Sequence, residues 1–322
     1  MIAKLKLAAL LMALMFALPA MANPGRWVQE GWKTDFSQSL VDFGEILSGG
    51  PPRDGIPSID NPIFANASDV KNIGEQEPVI QLQIGDDIRA YPLQVLTWHE
   101  IVNDTVGGSP VAVTYCPLCN ASIVFDRRVG DRVFEFGTTG KLRNSDLVMY
   151  DRTTDSWWQQ FTGEAIVGEM MGEKLKLVPS RIVAFADFKS AHPQAKVLIP
   201  NNPGMRDYGR NPYAGYDSAS YPFLYRGDMP DGIEPMARVI VVRTSGEPIV
   251  VTMEKVRKSA FEQDGYRVEW SGGVNSALDR SRISDSKDVG TVRVTKGGED
   301  IVHDITFAFV AHAFHPDVPI VK

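Results

Sequence analysis

Cysteine is scarce in this sequence: the 322 residues include only two, Cys116 and Cys119. An exported protein stabilised by disulfides usually carries several that close longer loops, so this composition argues against a disulfide-stapled scaffold. A zinc site with four cysteine ligands is excluded for the same reason. A bridge across so short a loop would contribute only about 2 kcal/mol to stability. We therefore interpret the pair as chemical rather than structural.

Positive charge is also in short supply. The chain has 33 Lys and Arg residues against 40 Asp and Glu residues, for a formal net charge of -7. Such a chain lacks the positive surface that attracts nucleic acid or anionic lipid. We expect no nucleic-acid partner.

Long apolar runs are absent except near the N-terminus. Two lysines precede an apolar stretch from Leu7 to Leu18, and Ala-Met-Ala at 20–22 has the small-x-small pattern of a signal peptidase site. The stretch is shorter than the span of about 20 residues that crosses a bilayer. We predict a signal peptide over 1–22, cleaved between Ala22 and Asn23. Loss of its two lysines leaves 31 basic against 40 acidic residues, a net charge of -9. The mature protein is then periplasmic or secreted, without an integral membrane segment.

Composition divides the mature chain into four parts. Residues 23–77 are expected to form an N-terminal arm and loop, and 78–200 a β-rich unit that carries the cysteines. The Pro-, Gly- and Tyr-rich residues 201–236 are typical of an irregular connector, whose tyrosines either cover a site or pack on the core. A second β-rich unit, 237–322, lacks cysteines. Short alternating runs separated by glycine turns predict an α+β fold that is mainly antiparallel β, with few short helices.

The two β-rich units resemble each other weakly. Asn120-Ala121-Ser122 and His192-Pro193 are echoed by Asn275-Ser276-Ala277 and His315-Pro316. Where the first unit has its cysteines, the second has Ser271-Gly272-Gly273. The pattern predicts two related β-rich repeats, of which one kept the chemistry and the other became a structural partner.

The cysteines form the motif Cys116-Pro117-Leu118-Cys119. Their spacing suits a disulfide or joint ligation of a metal. In a redox interpretation, one thiolate attacks a partner disulfide and the other resolves the mixed disulfide. In a metal interpretation, both thiolates bind Cu(I), or zinc with added ligands. Thioredoxin-type proteins place the first cysteine at a helix start. Here residues 121–125 look like a strand, so we expect a turn between strands.

His99 is the most suggestive of the five histidines, because it shortly precedes the cysteine strand. An imidazole close to Cys116 would lower the pKa of that thiol, or would supply a third metal ligand. A histidine beside a tryptophan, here Trp98, is alternatively a hydrogen-bonded packing residue.

Polar and aromatic residues are dense between 137 and 160, where Asn144, Asp151, Arg152 and Trp157 are candidates to support the site. The glycines of this region lack the strand–helix context of a phosphate loop, so nucleotide binding is not expected. An ion pair between Asp151 and Arg152 that fixes the loop is the structural alternative.

Several runs taken together resemble domain-of-unknown-function family 3179. These runs are Asp54-Gly55-Ile56-Pro57, residues 98–104, residues 113–119, residues 144–152 and residues 163–168. The resemblance is strong from Asp54 to Ile199 and weaker in the C-terminal unit. It implies an exported protein, and selenocysteine in some members favours redox chemistry over structural zinc. Asn120 stands where many members carry Gly, but Asn tolerates the left-handed backbone, so the motif is preserved.

The leading hypothesis is a periplasmic thiol-disulfide redox protein that needs no cofactor and acts on a protein or small-thiol partner. Cys116 would be the nucleophile, Cys119 the resolving thiol, and His99 the group that tunes the thiolate. The supporting candidates are Tyr115, Asn120, Asn144, Asp151, Arg152 and Trp157. One alternative is a binding protein that holds copper or zinc through Cys116, Cys119 and His99. Another is an interaction module whose cysteines form an inert disulfide.

Overall fold

The computed structural model describes residues 24–322, so the predicted signal peptide and its cleavage site lie outside the described residues. Within them the chain is mostly antiparallel β-structure with few short helices, which confirms that part of the prediction. The strands are β1 Ile46–Ser48, β2 Ile63–Asn66, β3 Pro78–Ile84, β4 Asp87–Pro92, β5 Ile101–Val106, β6 Ser109–Cys116, β7 Ala121–Asp126, β8 Arg128–Val129, β9 Arg132–Val133, β10 Phe136–Arg143, β11 Asp146–Asp151, β12 Trp157–Gln159, β13 Ala165–Val167, β14 Lys176–Val178, β15 Ser180–Ala184, β16 Lys196–Ile199, β17 Arg238–Val242, β18 Ile249–Thr252, β19 Phe261–Gln263, β20 Tyr266–Ser271, β21 Thr291–Lys296, β22 Glu299–Asp300, β23 His303–Phe307 and β24 Ile320–Val321. The α-helices are α1 Pro24–Gln29, α2 Leu93–His99, α3 Phe185–Ala191, α4 Met253–Lys258 and α5 Ala308–Phe314. Single 3-10 turns cover Phe43–Glu45, Tyr216–Ser218 and Ile283–Asp285.

Two antiparallel sheets position the cysteines and the polar cluster that follows them. The cysteine sheet has the order β14-β7-β6-β5, in which β6 and β7 form the hairpin that carries the motif. The second sheet has the order β1-β10-β11-β12-β13. The strand β1 comes from the N-terminal arm and pairs with β10 through Ile46 and Arg143.

Two further sheets share one strand order. The first is β15-β3-β4-β16-β2, and the second is β23-β17-β18-β24. In both, the first three strands are antiparallel, and the next strand joins parallel to its neighbour: β16 to β4, and β24 to β18. The helices α3 and α5 occupy equivalent places. They end at His192 and His315, whose backbone angles are φ -137, ψ 62 and φ -139, ψ 63.

One hydrophobic core crosses the boundary between the two predicted β-rich units. It contains Ile80 and Val113 from the first unit together with Val239 and Phe307 from the second, all of them fully buried. Burial of side chains of this size stabilises a fold by about 1.5–3 kcal/mol each. The two predicted units therefore share one apolar core. No helix within residues 24–322 is long and apolar enough to cross a membrane.

Candidate functional site

The cysteine motif forms a tight turn between two strands, as predicted. Cys116 is the last residue of β6, and Ala121 opposite it is the first of β7. The turn is closed by backbone hydrogen bonds from Cys119 N to Cys116 O, at 3.2 Å, and from Asn120 N to Pro117 O, at 3.1 Å. Asn120 has a φ of 52°, in the left-handed region that Asn tolerates.

Both thiols are reduced and shielded from solvent. Cys116 is 1% exposed and Cys119 is fully buried. Their sulfur atoms point towards one acceptor, the backbone carbonyl of Ser145, at 3.9 Å from Cys116 Sγ and 3.5 Å from Cys119 Sγ. Burial raises the pKa of Cys116, and it raises the pKa of Cys119 well above the usual range. Burial thus favours the neutral thiol form of both cysteines.

Asp146 is the third polar group at this point. One ligand atom each from Cys116, Cys119 and Asp146 lie within 4.8 Å of one another. Its Oδ2 accepts hydrogen bonds from Gln159 Nε2 at 2.6 Å and from the Phe161 amide at 2.8 Å. Its Oδ1 is buried, and the Cys116 and Cys119 thiols are the groups left to donate to it. Burial raises the pKa of Asp146 to about 6, against the opposing effect of those two hydrogen bonds and of hydrogen bonding with the Cys119 and Cys116 thiols.

A two-residue turn places Asp146 beside the thiols. Asn144 and Ser145 connect β10 to β11, and both have positive φ, 53° and 64°. Positive φ at both central residues is typical of the hairpin turn whose twist matches the strands it joins. The same turn directs the Ser145 carbonyl at the sulfurs. Asn144, predicted to support the site, is part of this turn.

Glu100 adds a fourth acidic group. It ends α2 with a φ of 58°, a conformation that a non-glycine residue adopts only when its surroundings impose it. Its side chain is 8% exposed. No hydrogen bond or ion pair to its carboxyl is found within residues 24–322. Burial raises the pKa of Glu100 to about 8, and the nearby charge of Asp146 adds to this effect.

His99 is turned away from the sulfurs. Its Nδ1 lies 2.7 Å from the carbonyl oxygen of Pro57, and its Nε2 lies 2.7 Å from the hydroxyl of Tyr208. Its ring stacks on Tyr208 at 5.8 Å between centroids. The structure therefore does not place His99 in the group formed by the two thiols and Asp146. Burial lowers the pKa of His99, so the ring is a neutral, hydrogen-bonded packing element.

The other predicted supporting residues fall into two groups. Tyr115 and Asn120 flank the cysteine turn and contact each other, with Tyr115 Oη 3.5 Å from Asn120 Oδ1. The remaining three, Asp151, Arg152 and Trp157, make their contacts away from the cysteine turn. Asp151 accepts from Trp158 Nε1 at 3.0 Å, and Arg152 pairs with Asp60 rather than with Asp151.

Trp157, the last of the three, belongs to an aromatic cluster formed with the N-terminal arm. Its ring lies 4.7 Å from Trp27, 5.2 Å from Trp32 and 5.3 Å from Phe36, measured between centroids. It thus anchors the arm rather than contacting the thiols.

Residues distant in sequence close over the cysteine turn. The hydroxyl of Tyr216, in the connector, donates a 3.1 Å hydrogen bond to Leu118 O. Ser145 Oγ donates to Phe223 O, also in the connector, at 2.5 Å. From the C-terminal unit, Thr306 contacts the carbonyl of Cys119. The connector thus lies over the motif, as one of the two sequence interpretations proposed.

Comparison with known proteins identifies the family. Residues 53–318 match the model of the family described as "Protein of unknown function (DUF3179)". The chain belongs to this family. The match covers both β-rich units and confirms the resemblance that the sequence motifs indicated. No curated protein matches the chain. No solved structure matches it.

Sequence reasoning missed Asp146 and Glu100, although both lie in runs that carry the family resemblance. Asp146 directly precedes the apolar run Leu147-Val148-Met149-Tyr150, where an acidic residue has no evident packing role. Glu100 directly follows His99, the residue that was selected instead. An acidic residue next to an apolar strand was the available signal in both places.

Proposed function

We propose that this protein binds one zinc ion through Cys116, Cys119 and Asp146. The observation that carries the proposal is the grouping of the buried Asp146 carboxylate with two buried thiols within 4.8 Å, where Oδ1 has no hydrogen-bond partner in residues 24–322 apart from those thiols. Buried carboxylate oxygens are normally paired, because an unpaired one costs about 1–3 kcal/mol or more. A bound cation would provide the missing partner.

The separations suit a single ion. Zinc binds sulfur at about 2.3 Å and carboxylate oxygen at about 2.0–2.2 Å, so the ligand atoms of a tetrahedral site lie about 3.5–3.8 Å apart. The three groups here lie within 4.8 Å before any ion draws them together.

The direction in which the pKa values of these groups are shifted supports an ion-binding role. Burial raises the pKa of both thiols and of Asp146, because it penalises their charged forms, and a cation would offset that penalty. Zinc would displace the protons of these groups, since metal ligands bind in their deprotonated form. Glu100 lies near enough to raise the pKa of Cys116 by its charge and would be the closest additional acid.

The donor set favours zinc over copper. Cu(I) selects soft thiolate and thioether ligands, whereas zinc accepts a mixture of sulfur and carboxylate oxygen. Three protein ligands leave a fourth tetrahedral position for the Ser145 carbonyl or for water. Asp146 thus replaces His99 in the ligand set predicted from the sequence.

Thiol-disulfide chemistry is the second candidate, favoured by the two free thiols that share the Ser145 carbonyl. In that reaction Cys116 attacks a partner disulfide and Cys119 displaces the partner, so the pair loses two electrons and the partner gains two thiols. Burial of both sulfurs opposes this role, because reactive cysteines are normally accessible and have lowered pKa values.

We further propose that the C-terminal unit arose by duplication and supports the site without binding metal. The strand order that β15-β3-β4-β16 shares with β23-β17-β18-β24 and the matching ends of α3 and α5 support this relation. The proposal also includes the division of the chain into two β-rich units, the first ending at residue 200 and the second beginning at residue 237. It includes removal of residues 1–22 as a signal peptide, and a periplasmic location. An oxidising periplasm would convert a free pair to a disulfide, and a bound zinc ion would protect it.

Zinc titration of the metal-free, reduced protein tests the proposal. Competition with the chromophoric chelator 4-(2-pyridylazo)resorcinol should give one zinc per chain. Cys116→Ser, Cys119→Ser and Asp146→Asn should each weaken binding at least about tenfold, a change of 1.4 kcal/mol. Cobalt(II) in place of zinc should show sulfur-to-metal charge-transfer absorption that disappears in the serine variants.

Two variants serve as matched controls. Asp317→Asn alters an exposed carboxylate and should not change zinc affinity. His99→Gln should also leave it unchanged, because the imidazole is hydrogen-bonded elsewhere. Absence of stoichiometric zinc from reduced wild-type protein, together with a reversible disulfide between Cys116 and Cys119, would overturn the zinc proposal in favour of the redox one.

A further inference from the structure

A cavity of about 460 Å³ lies between the connector and the cysteine turn. Leu118 and Leu147 line it together with Tyr213, Tyr216 and Phe223 of the connector. Small-molecule sites commonly occupy about 300–1,000 Å³ and are mainly apolar with a few polar groups. This cavity has both properties.

Four polar side chains line the cavity, and two of them have protein partners. Lys141 Nζ lies 3.0 Å from Glu30 Oε2, and the Tyr216 hydroxyl donates to Leu118 O. The other two are the Glu100 carboxyl and the Tyr213 hydroxyl, for which no hydrogen bond is found within residues 24–322. Both residues line the cavity, so a bound group can serve as their partner.

Glu100 and Tyr213 are near neighbours. Burial raises the pKa of Tyr213, and the charge of Glu100 is the next largest cause of that shift. Glu100 is 8% exposed, and the limited access that it has opens into the cavity. One polar group of a ligand can therefore lie between the two side chains.

The chemistry of the two side chains selects the kind of group. A tyrosine hydroxyl donates one hydrogen bond, and a carboxyl accepts one whether or not it carries a proton. A ligand hydroxyl satisfies both, because it accepts from Tyr213 and donates to Glu100. The rest of such a ligand would contact Leu118, Leu147 and Phe223, which requires an apolar body.

We infer that this cavity binds a small, mainly apolar alcohol or phenol whose hydroxyl group lies between Glu100 and Tyr213. The inference goes beyond the zinc proposal and does not depend on it, since none of the three proposed zinc ligands lines the cavity. The two sites nevertheless share a wall: Leu118 lies between the cysteines, and Leu147 directly follows Asp146.

A matched pair of fluorescent ligands tests the inference on the purified protein. 2-Naphthol can donate and accept a hydrogen bond, whereas 2-methoxynaphthalene can only accept one. 2-Naphthol should bind saturably at one site per chain, with affinity about tenfold higher than that of the methyl ether. Equal affinities, or binding that does not saturate, would contradict the inference without any variant.

Variants then locate the hydroxyl. Glu100→Leu should reduce the affinity for 2-naphthol about tenfold and leave that for the methyl ether unchanged, because only the first ligand donates to residue 100. Glu100→Gln keeps an acceptor oxygen and should retain 2-naphthol binding. Tyr213→Phe should weaken both ligands, since both accept from that hydroxyl. Equal loss of both ligands in Glu100→Leu would overturn the assignment.

The control for the connector is Tyr221→Phe, at a side chain that is 56% exposed, and it should change neither affinity. Each titration is carried out on zinc-free and on zinc-loaded protein. Failure to bind zinc with 2-naphthol binding intact would reject only the zinc proposal. Zinc binding without a difference between the two ligands would reject only the cavity inference.

Discussion

The hydroxyl of Thr306 donates a 2.7 Å hydrogen bond to the backbone carbonyl of Cys119, and the two residues are 187 positions apart. Both are fully buried. The next residue of the turn makes a second link, from Asn120 Nδ2 to Ile305 O at 3.3 Å. Strand β23 of the cysteine-free unit therefore fixes the turn that carries the thiols.

Thr306→Val should lower the free energy of unfolding by about 1–3 kcal/mol, because it leaves the buried Cys119 carbonyl without a donor. Valine has nearly the shape of threonine and suits a strand, so packing changes little. Urea denaturation of the metal-free protein measures this effect. Thr153→Val, at an exposed turn position, is the control and should be close to neutral. Equal stability of Thr306→Val and wild type would show that the contact does not hold the turn.

The thiols of the native protein should react slowly with 5,5′-dithiobis(2-nitrobenzoate), because burial shields them and keeps them protonated. In denaturing urea, two thiols per chain should react at once. Ser220→Cys introduces an exposed thiol and shows the rate of an accessible one. Native reaction of Cys116 at that same rate would favour the redox candidate over zinc binding.

The position of the motif could be predicted from sequence because its determinants are local. Residues on both sides of Cys116 and Cys119 are strand formers, and the turn between them closes with its own backbone hydrogen bonds. Asp146, the third group of the candidate site, could not be predicted in this way. Asp146 reaches the thiols from a different hairpin, through a turn at Asn144 and Ser145 whose contacts depend on how two sheets pack.

His99 is the converse case, because it is near the motif in sequence but outside the group formed by the thiols and Asp146. It is close to the cysteine strand in sequence, but its partners Pro57 and Tyr208 lie 42 and 109 positions away. Proximity along the chain favoured it as a ligand, whereas tertiary contacts occupy both of its ring nitrogens.

The predicted β character of the fold required only alternating apolar residues, and it was correct for that reason.

Glu77 should make the stability of the protein depend on pH. Its Oε2 is buried without a hydrogen-bond partner, and burial raises its pKa from 4.5 to about 7. Since the folded state holds this proton more tightly than the unfolded state, the free energy of unfolding falls as pH rises from 4.5 to about 7. Glu77→Gln should match wild type at pH 4 and exceed it by about 1–3 kcal/mol at pH 8.

Urea denaturation across this pH range checks the effect of Glu77→Gln. The control is Glu234→Gln, at an exposed position, whose stability relative to wild type should not vary with pH. A constant difference between Glu77→Gln and wild type from pH 4 to pH 8 would show that the carboxyl does not titrate in the folded state.

Trp157 should matter for stability and not for zinc. It is fully buried against Trp27, Trp32 and Phe36, in a cluster separate from the core that contains the cysteines. Trp157→Ala should therefore lower the free energy of unfolding by about 3–5 kcal/mol, as large-to-small changes in a packed core do. Trp157→Phe should cost much less, because it keeps an aromatic ring and removes an indole N–H that has no partner within residues 24–322.

The zinc affinity of both folded variants should equal that of wild type, because none of the three aromatic neighbours touches a proposed ligand. If Trp157→Phe weakened zinc binding while remaining folded, Trp157 would instead support the metal site, as the sequence had suggested.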